Sequence, residues 1–306
     1  MSEPAGLERD FSLARLTTVR TGGPADWFAR PETEKELLEL LAWAGDRGLE
    51  LGIVGSGSNL LVADAGFRGL AIKLDGELAR IEREGERGLL CGGGARLPSA
   101  AAKAAGWGLS GLEFGINIPG TAGGAVRMNA NAYGGQLAEI LEWVDVCDAS
   151  GSERRRPEQL GFAYRSSDLG PGEVVARVSF ALDPADPAAV RETLAGMRER
   201  RREAQPSGIK TFGSTFKNPD AEDPRAEGKT AGQLLQAAGC NGLGVGGARF
   251  SAKHANFIEN GGEATTADVL ALMAEGRRRV HQRFGVVLEP EVQTLGELEW
   301  PGGWEL

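Results

Sequence analysis

Residues 115–135 of the 306-residue sequence read Gly-Ile-Asn-Ile-Pro-Gly-Thr-Ala-Gly-Gly-Ala-Val-Arg-Met-Asn-Ala-Asn-Ala-Tyr-Gly-Gly. Glycines crowd a Pro-Gly turn, and small residues stand wherever a side chain would block close approach. Main-chain N–H groups can therefore line a large polar ligand, and a bulky anion suits them best. Glycine-rich surface loops are usually rich in Ser and Asp, whereas this block carries Ile116, Ile118, Val126, Met128 and Tyr133, which favour burial. A buried loop must satisfy its N–H groups somewhere, and a bound cofactor is an economical partner.

A second glycine segment, Gly-Ser-Gly-Ser-Asn-Leu-Leu-Val at 55–62, has part of the dinucleotide-binding fingerprint, with Asp75 about where a ribose-binding acid would stand. The context does not match. Leu60 replaces the third glycine, and a second short apolar run follows where a crossover helix is required. The segment reads equally as a tight turn between strands or as an anion nest of consecutive N–H groups. The block at 115–135 tips the reading toward phosphate, and together the two suggest a flavin enzyme that grips its cofactor's pyrophosphate without the usual dinucleotide fold.

The elements that position these loops follow from periodicity and punctuation. A helix begins after Pro31, with Thr33 and Glu36 at capping-box spacing, Leu37, Leu41 and Ala44 on its buried face, and Gly48 to stop it. Short apolar strands are expected at 49–54, 60–62 and 70–74, then a helix at 98–105 closed by Gly106 and strands at 143–147 and 173–182. Asp183-Pro-Ala-Asp-Pro suits a linker. Beyond it lie an arginine-rich helix, a polar loop at 205–225, a helix at about 230–238 closed by Gly239, and a long helix at 266–284 closed by Gly285. A strand interrupted by Pro290 follows. The pattern is α+β, with no internal repeat, and its length suits two or three domains.

Composition narrows the function. With 41% hydrophobic and 25% charged residues and no long apolar run, the chain reads as an ordinary globular protein without a membrane span. The acidic start lacks a secretory signal, so a cytoplasmic location is expected. Cys91, Cys147 and Cys240 are odd in number and far apart, which argues against disulfides and a zinc site. No metal is expected, because His254 and His281 are the only histidines and could not supply a site unaided; His281, among arginines on the long helix, is expected exposed. A net charge of −9 disfavours nucleic acid, and Arg198, Arg200, Arg201 and Arg202 read as a solvated helix face paired with Glu192, Glu199 and Glu203.

Several segments in register resemble one family. Gly-Ser-Gly-Ser-Asn-Leu-Leu-Val, Gly-Leu-Glu-Phe-Gly-Ile-Asn-Ile-Pro-Gly-Thr-Ala-Gly-Gly-Ala-Val-Arg-Met-Asn-Ala, Tyr-Arg-Ser-Ser, Gly-Ser-Thr-Phe-Lys-Asn-Pro, Lys-His-Ala-Asn-Phe-Ile and Leu-Glu-Pro-Glu-Val occur in the order seen in the UDP-N-acetylenolpyruvoylglucosamine reductases, also called UDP-N-acetylmuramate dehydrogenases. The resemblance runs from about residue 18 to 296. It implies an FAD-binding fold like that of vanillyl-alcohol oxidase, built from two α+β subdomains at 1–76 and 77–185, with an α/β substrate domain at 186–291 and a tail at 292–306 that could return to the first. It also implies NADPH-dependent reduction of the enolpyruvyl ether of UDP-N-acetylglucosamine enolpyruvate to UDP-N-acetylmuramate, for peptidoglycan synthesis, cell shape and division. The short link at 166–172 matches the form of the family that lacks an extra loop with a substrate-binding tyrosine.

The resemblance assigns parts to individual residues. Arg165 would stabilise the charge that builds up when hydride reaches the vinyl carbon, Ser214 would donate the proton, and Glu291 would bond the substrate carboxylate or orient Arg165. Glu289 lies two residues away and could share a face with Glu291 unless Pro290 kinks the strand; the family register selects Glu291. Gly55, Ser56, Gly57, Ser58, Asn59, Leu60, Ile118, Pro119, Gly120, Thr121, Gly123, Gly124 and Arg127 would line non-covalent FAD, while Tyr164, Lys217, Asn218 and His254 would touch substrate. NADPH and substrate are expected to use one cleft in turn, with ping-pong kinetics. Asn131 departs from the family's glycine, and asparagine would keep a left-handed turn there at modest cost. Two other readings are a flavin oxidase of the same fold acting on an alcohol or lactone, and a non-catalytic sugar-nucleotide sensor.

Overall fold

The computed structural model describes residues 2–302 and Trp304. The chain forms two compact units. One comprises Met1–Asp10, Asp26–Ser56 and Arg68–Arg201, the other Phe11–Ala25, Gly57–Phe67 and Arg202–Leu306, so the backbone passes between them inside the first glycine segment, from Ser56 to Gly57.

A five-stranded sheet organises the first unit, in the order Gly151–Arg155, Leu141–Asp148, Val174–Ala181, Gly88–Gly92, Ile81–Glu84, antiparallel throughout. Its middle strand, Val-Val-Ala-Arg-Val-Ser-Phe-Ala, is nearly continuous in apolar residues because both faces are covered. Val175, Val178 and Phe180 pack with the helix Leu97–Gly106, while Val174 and Ala176 join the core under the helix Glu34–Gly45. The step from Val175 to Val178 breaks strict alternation, and a register shift in the pairing between Asp145 and Val146 accompanies it. A second sheet has the order Glu8–Ser12, Pro24–Ala29, Phe67–Ile72, Glu50–Ile53, the last two strands parallel.

Thr33 caps its helix as expected, accepting from the Glu36 N–H at 3.2 Å. The reciprocal bond differs. Glu36 reaches past the cap to the Glu32 N–H, 2.7 Å away. Leu37, Leu41 and Ala44 are fully buried, and Gly48 takes φ of +61° just beyond the helix end.

In the second unit, Leu60–Val62 pairs in parallel with Gln293–Leu295, and Gly244–Val245, Ala248–Phe250 and Ile258–Asn260 form an antiparallel sheet. The helices Ala231–Ala237 and Thr266–Phe284 pack on a core of Phe212, Phe216, Leu234, Phe250, Ile258, Leu272 and Met273. The long helix carries a full capping box between Thr265 and Asp268, receives the Asp64 carboxylate at its first N–H groups, and stops at left-handed Gly285. The strand expected from Val286 starts later: only Gln293–Leu295 is a strand, and Pro290 makes an isolated bridge. His281 is half-buried instead of exposed. Among the described residues no helix is long and apolar enough to cross a membrane.

Candidate active site

The strand Glu50–Ile53 delivers the chain into the first glycine segment, its last ladder bond running from the Val54 N–H to the Ile72 carbonyl at 2.8 Å. Five consecutive N–H groups follow, at residues 55–59. Among the described residues none of these five donates to a protein acceptor. Gly57 is buried and the others half-buried, so these N–H groups need partners other than the described protein acceptors. Two glycines here are sterically required. A Cβ on Gly55 would stand 2.7 Å from the Thr121 hydroxyl oxygen, and one on Gly57, whose φ is +63°, would stand 2.0 Å from the Leu16 carbonyl oxygen. Thr18 fixes the turn by donating to the Gly57 carbonyl through its N–H at 2.9 Å and its hydroxyl at 3.1 Å.

The contact of Gly55 with Thr121 brings the first glycine segment against the second within the first unit. The second segment is not the continuous loop that its glycines suggest. A 3-10 turn, Glu113–Asn117, and a short helix, Ala122–Arg127, stand on either side of the Pro119-Gly120 turn. Thr121 caps that helix by accepting from the Gly124 N–H, and the Gly123 N–H donates to the Gly93 carbonyl at 2.8 Å. Ile118 and Gly120 flank Pro119, their main chains joined by a bond from the Gly120 N–H to the Ile118 carbonyl.

A cavity of about 80 Å³ opens between these segments, lined by Gly55, Thr121, Gly123, Gly124, Arg127, Lys73, Gly93, Gly94, Glu173 and five apolar residues. Arg127 is half-buried, and its guanidinium donates to the carbonyls of Leu169, Gly170 and Glu173. Burial lowers its pKa, with Glu173 opposing. Lys73, Gly93 and Gly94 had drawn no attention in the sequence. The run Cys91-Gly-Gly-Gly-Ala95 was the visible signal for the two glycines, and nothing in the spacing marked the lysine.

Tyr164 and Arg165 occupy the tip of a tight turn closed by two main-chain bonds between Ala163 and Ser166. Arg165 has φ of +57°, a conformation seldom taken outside glycine, asparagine and aspartate, so its side chain is aimed by a strained backbone. Its Nη1 donates to the Asn131 carbonyl at 3.4 Å, and Asn129 Nδ2 donates to the Ala163 carbonyl at 3.2 Å. The turn therefore docks on the end of the glycine block. Asn131 does not take the left-handed conformation expected of it; Asn129, Tyr133 and Gly134 do, at φ of +37°, +52° and +85°. Asn131 lies in a strand pairing with Gln136, and Tyr133-Gly134 form the two-residue hairpin turn. Among the described residues Tyr133 and Tyr164 are the large hydrophobic side chains left exposed, at 43% and 50%. The arginines of the helix Pro187–Ala204 are exposed except Arg201, which is half-buried, while Arg200 lies over the Tyr133 ring.

Ser214, Lys217, Asn218, His254 and Glu291 belong to the second unit, with Gly57, Ser58, Asn59 and Leu60. The segment carrying Ser214 runs between two others. On one side Ser214 bridges Phe257, and the Asn256 side chain accepts from the Phe216 N–H at 2.9 Å and donates to the Phe216 carbonyl at 2.8 Å. On the other side the Glu291 N–H donates to the Thr215 carbonyl and the Lys217 N–H to the Glu289 carbonyl, both at 2.9 Å. Pro290, opposite Phe216, occupies the ladder position where an N–H would point away from the partner, so its missing donor costs nothing. Asn256 was overlooked in sequence although it sits in the Lys-His-Ala-Asn-Phe-Ile motif. Asn59 Nδ2 donates to the Glu291 carbonyl at 3.1 Å, and the Gln293 N–H to the Asn59 carbonyl at 3.0 Å.

The two candidate glutamates differ in surroundings. Glu289 is exposed and pairs with Lys217 at 3.3 Å, whereas Glu291 is half-buried. His254 is half-buried against Phe257 and accepts from the Asn256 N–H through Nδ1. Burial lowers its pKa, so the imidazole is neutral near pH 7. Asn218, exposed, accepts from the Ala231 N–H through Oδ1 at 3.1 Å.

Comparison with known proteins settles the family. Residues 25–155 match the FAD binding domain, and residues 205–295 match the C-terminal domain of UDP-N-acetylenolpyruvoylglucosamine reductase. The chain is 45% identical over 300 residues to the UDP-N-acetylenolpyruvoylglucosamine reductase 2 of Symbiobacterium thermophilum, covering 97% of this chain and 95% of that protein. It belongs to the UDP-N-acetylenolpyruvoylglucosamine reductase family. The reductase of Anaeromyxobacter dehalogenans is 44% identical over 94% of this chain and 85% of its own length. The crystal structure of the reductase from Thermus caldophilus matches with a TM-score of 0.80 at 37% identity, covering 96% of this chain and 99% of that one. The mixed α+β architecture with an FAD-binding domain is thus the one expected for a reductase of this family.

Two outcomes follow for the variant proteins. Gly55→Ala forces a methyl group onto the Thr121 hydroxyl and is expected to weaken FAD retention about tenfold, read from the visible flavin absorbance of the purified protein. Gly55→Ala combined with Thr121→Ala should recover part of the loss, and full flavin retention by the single variant would contradict the steric account. For His254, the folded pKa lies below the unfolded value of about 6.5, so the unfolded chain takes up a proton that the folded protein resists. This group's contribution to stability is therefore lost as pH falls below about 6.5. Denaturant titrations at neutral and mildly acidic pH should show His254→Gln losing less stability on acidification than the parent; equal losses would mean that the buried imidazole does not titrate as described.

Proposed function

We propose that this chain is an FAD-dependent reductase that uses NADPH to reduce the enolpyruvyl ether of UDP-N-acetylglucosamine enolpyruvate, giving UDP-N-acetylmuramate for peptidoglycan synthesis. One observation carries the reading: five consecutive unengaged N–H groups at residues 55–59 sit in a chain whose relatives are reductases over nearly their whole length. The residues present fit a dinucleotide cofactor, since Gly55 and Gly57 leave no room for a Cβ and the adjoining cavity carries Lys73 and Arg127. FAD, when bound, accepts hydride from NADPH and supplies it to the vinyl carbon of the substrate.

The chain's own residues handle the charge and the proton. Hydride addition leaves negative charge on the neighbouring carbon, delocalised into the substrate carboxylate. In this reading the Arg165 guanidinium stabilises that charge, aimed by its left-handed backbone and its bond to the Asn131 carbonyl. The Ser214 hydroxyl then donates its proton to the carbon, completing the lactyl ether, and recovers one from solvent. Glu291 bonds the substrate carboxylate or orients Arg165. Lys217 is held beside Glu289, which shares its charge, and with Asn218, His254 and Tyr164 it contacts substrate.

Residues 1–76 and 77–185 form the two halves of the flavin-binding region, and 186–291 the substrate domain; the match of residues 205–295 to the family's C-terminal domain supports the last. NADPH and substrate use the site in turn. Three buried free thiols suit a reducing compartment and support a cytoplasmic location. The near-complete coverage of reductase relatives gives no support to the oxidase or sensor readings.

The two half-reactions test the assignment separately. Anaerobic NADPH should bleach the flavin, and the enolpyruvyl UDP-sugar should restore its colour. Ser214→Ala is expected to bleach at the parent rate but to regain colour about two orders of magnitude more slowly, the loss of a general acid. Recovery at the parent rate would reassign the proton donor.

A further inference from the structure

Lys73 follows the strand Phe67–Ile72 and lines the cavity beside Gly55. It is half-buried, and its Nζ donates to the Gly55 carbonyl at 2.7 Å. An ammonium group has three donors. Among the described residues no second acceptor engages Lys73 and no carboxylate pairs with it. Burial, followed by the charge of Arg30, pushes its pKa down; Asp75 opposes this and Arg96 adds to it. The protein thus keeps a cation where its own contacts disfavour one, which is costly unless something else supplies the counter-charge.

The other charged groups of the cavity point the same way. Among the described residues Arg127 bonds only to carbonyl oxygens, which fix its position without cancelling its charge. Glu173 is the one carboxylate in the lining, and it is already engaged by Arg155 at 2.6 Å and by the Gly170 N–H at 2.6 Å. The cavity therefore carries net positive charge next to the unengaged N–H run that begins at Gly55.

We propose that Lys73 is the counter-ion of the FAD diphosphate: one donor holds the Gly55 carbonyl and so shapes the loop, while the remaining donors bind diphosphate oxygens. This rests on the flavin reading of the site. Neither the sequence motifs nor the family match assigns Lys73 a part. A phosphate-binding lysine acts as a point charge, so Lys73 complements the directional N–H groups of the loop.

The test titrates flavin-stripped full-length protein with FAD and, in parallel, with riboflavin, which has the same ring system and no phosphate, following flavin fluorescence at several salt concentrations. Lys73→Gln removes the charge while keeping an N–H donor for the Gly55 carbonyl; Lys73→Arg keeps the charge. Lys73→Gln should raise the Kd for FAD about 10- to 100-fold and flatten its salt dependence, with riboflavin affinity unchanged and Lys73→Arg recovering part of the loss. An unchanged Kd for FAD would overturn the proposal, including the case in which the KM for NADPH or for the UDP-sugar rises instead. Parallel weakening of FAD and riboflavin would also overturn it, because Lys73 would then be only a brace for the loop. A parent protein that binds neither flavin would instead sink the flavin reading itself.

Discussion

The distance between Gly55 and Thr121 is the constraint on which the cofactor region depends. With 2.7 Å from an ideal Cβ position to the Thr121 hydroxyl, only glycine lets the two segments meet. Among the described residues the N–H groups of 55–59 donate to no protein acceptor, and the Thr121 hydroxyl that a Cβ on Gly55 would meet also caps the helix Ala122–Arg127. A buried N–H without a partner costs on the order of 1–3 kcal/mol. Gly57 is the buried member of the five and the others are half-buried, so a ligand or solvent must complete them, and the cation beside them favours an anion.

The second unit solves a different problem, that of holding one hydroxyl and one carboxyl group at fixed positions on short segments with little regular structure. Its answer is register. The segment around Ser214 is bonded on one edge to 256–257 and on the other to 289–291, with the Asn256 amide clasping both polar groups of Phe216. Pro290 fits that ladder at the one kind of position that demands no donor, and Glu291 beside it is bonded through its own N–H and carbonyl. Glu289, opposite Lys217, is spent on an exposed ion pair, and such pairs contribute little to stability.

Much of the scaffold was legible in the residues. The cap at Thr33 and the left-handed stop at Gly285 are local signals, and local physics determines them. The strands that flank the glycine segments were likewise bounded by their own punctuation. What escaped was non-local. The helix Ala122–Arg127 was hidden because two glycines lower its propensity, and it forms through the Thr121 cap and the bond from Gly123 to the Gly93 carbonyl. Asn131 was expected in a left-handed conformation because asparagine tolerates one; the hairpin puts that demand on Tyr133 and Gly134. Lys73 could not be found from spacing at all, since its meaning comes from a carbonyl eighteen residues away in sequence. Motifs pointed to candidate reacting residues only through family resemblance, because a serine after a glycine or an arginine after a tyrosine is chemically ambiguous alone.

The most direct measurement of the central claim is a crystal structure of the protein with FAD bound. The account predicts diphosphate oxygens within about 3 Å of at least two of the main-chain nitrogens at residues 55–59, with Gly55 still in contact with Thr121. FAD bound elsewhere, with those nitrogens facing water, would contradict it.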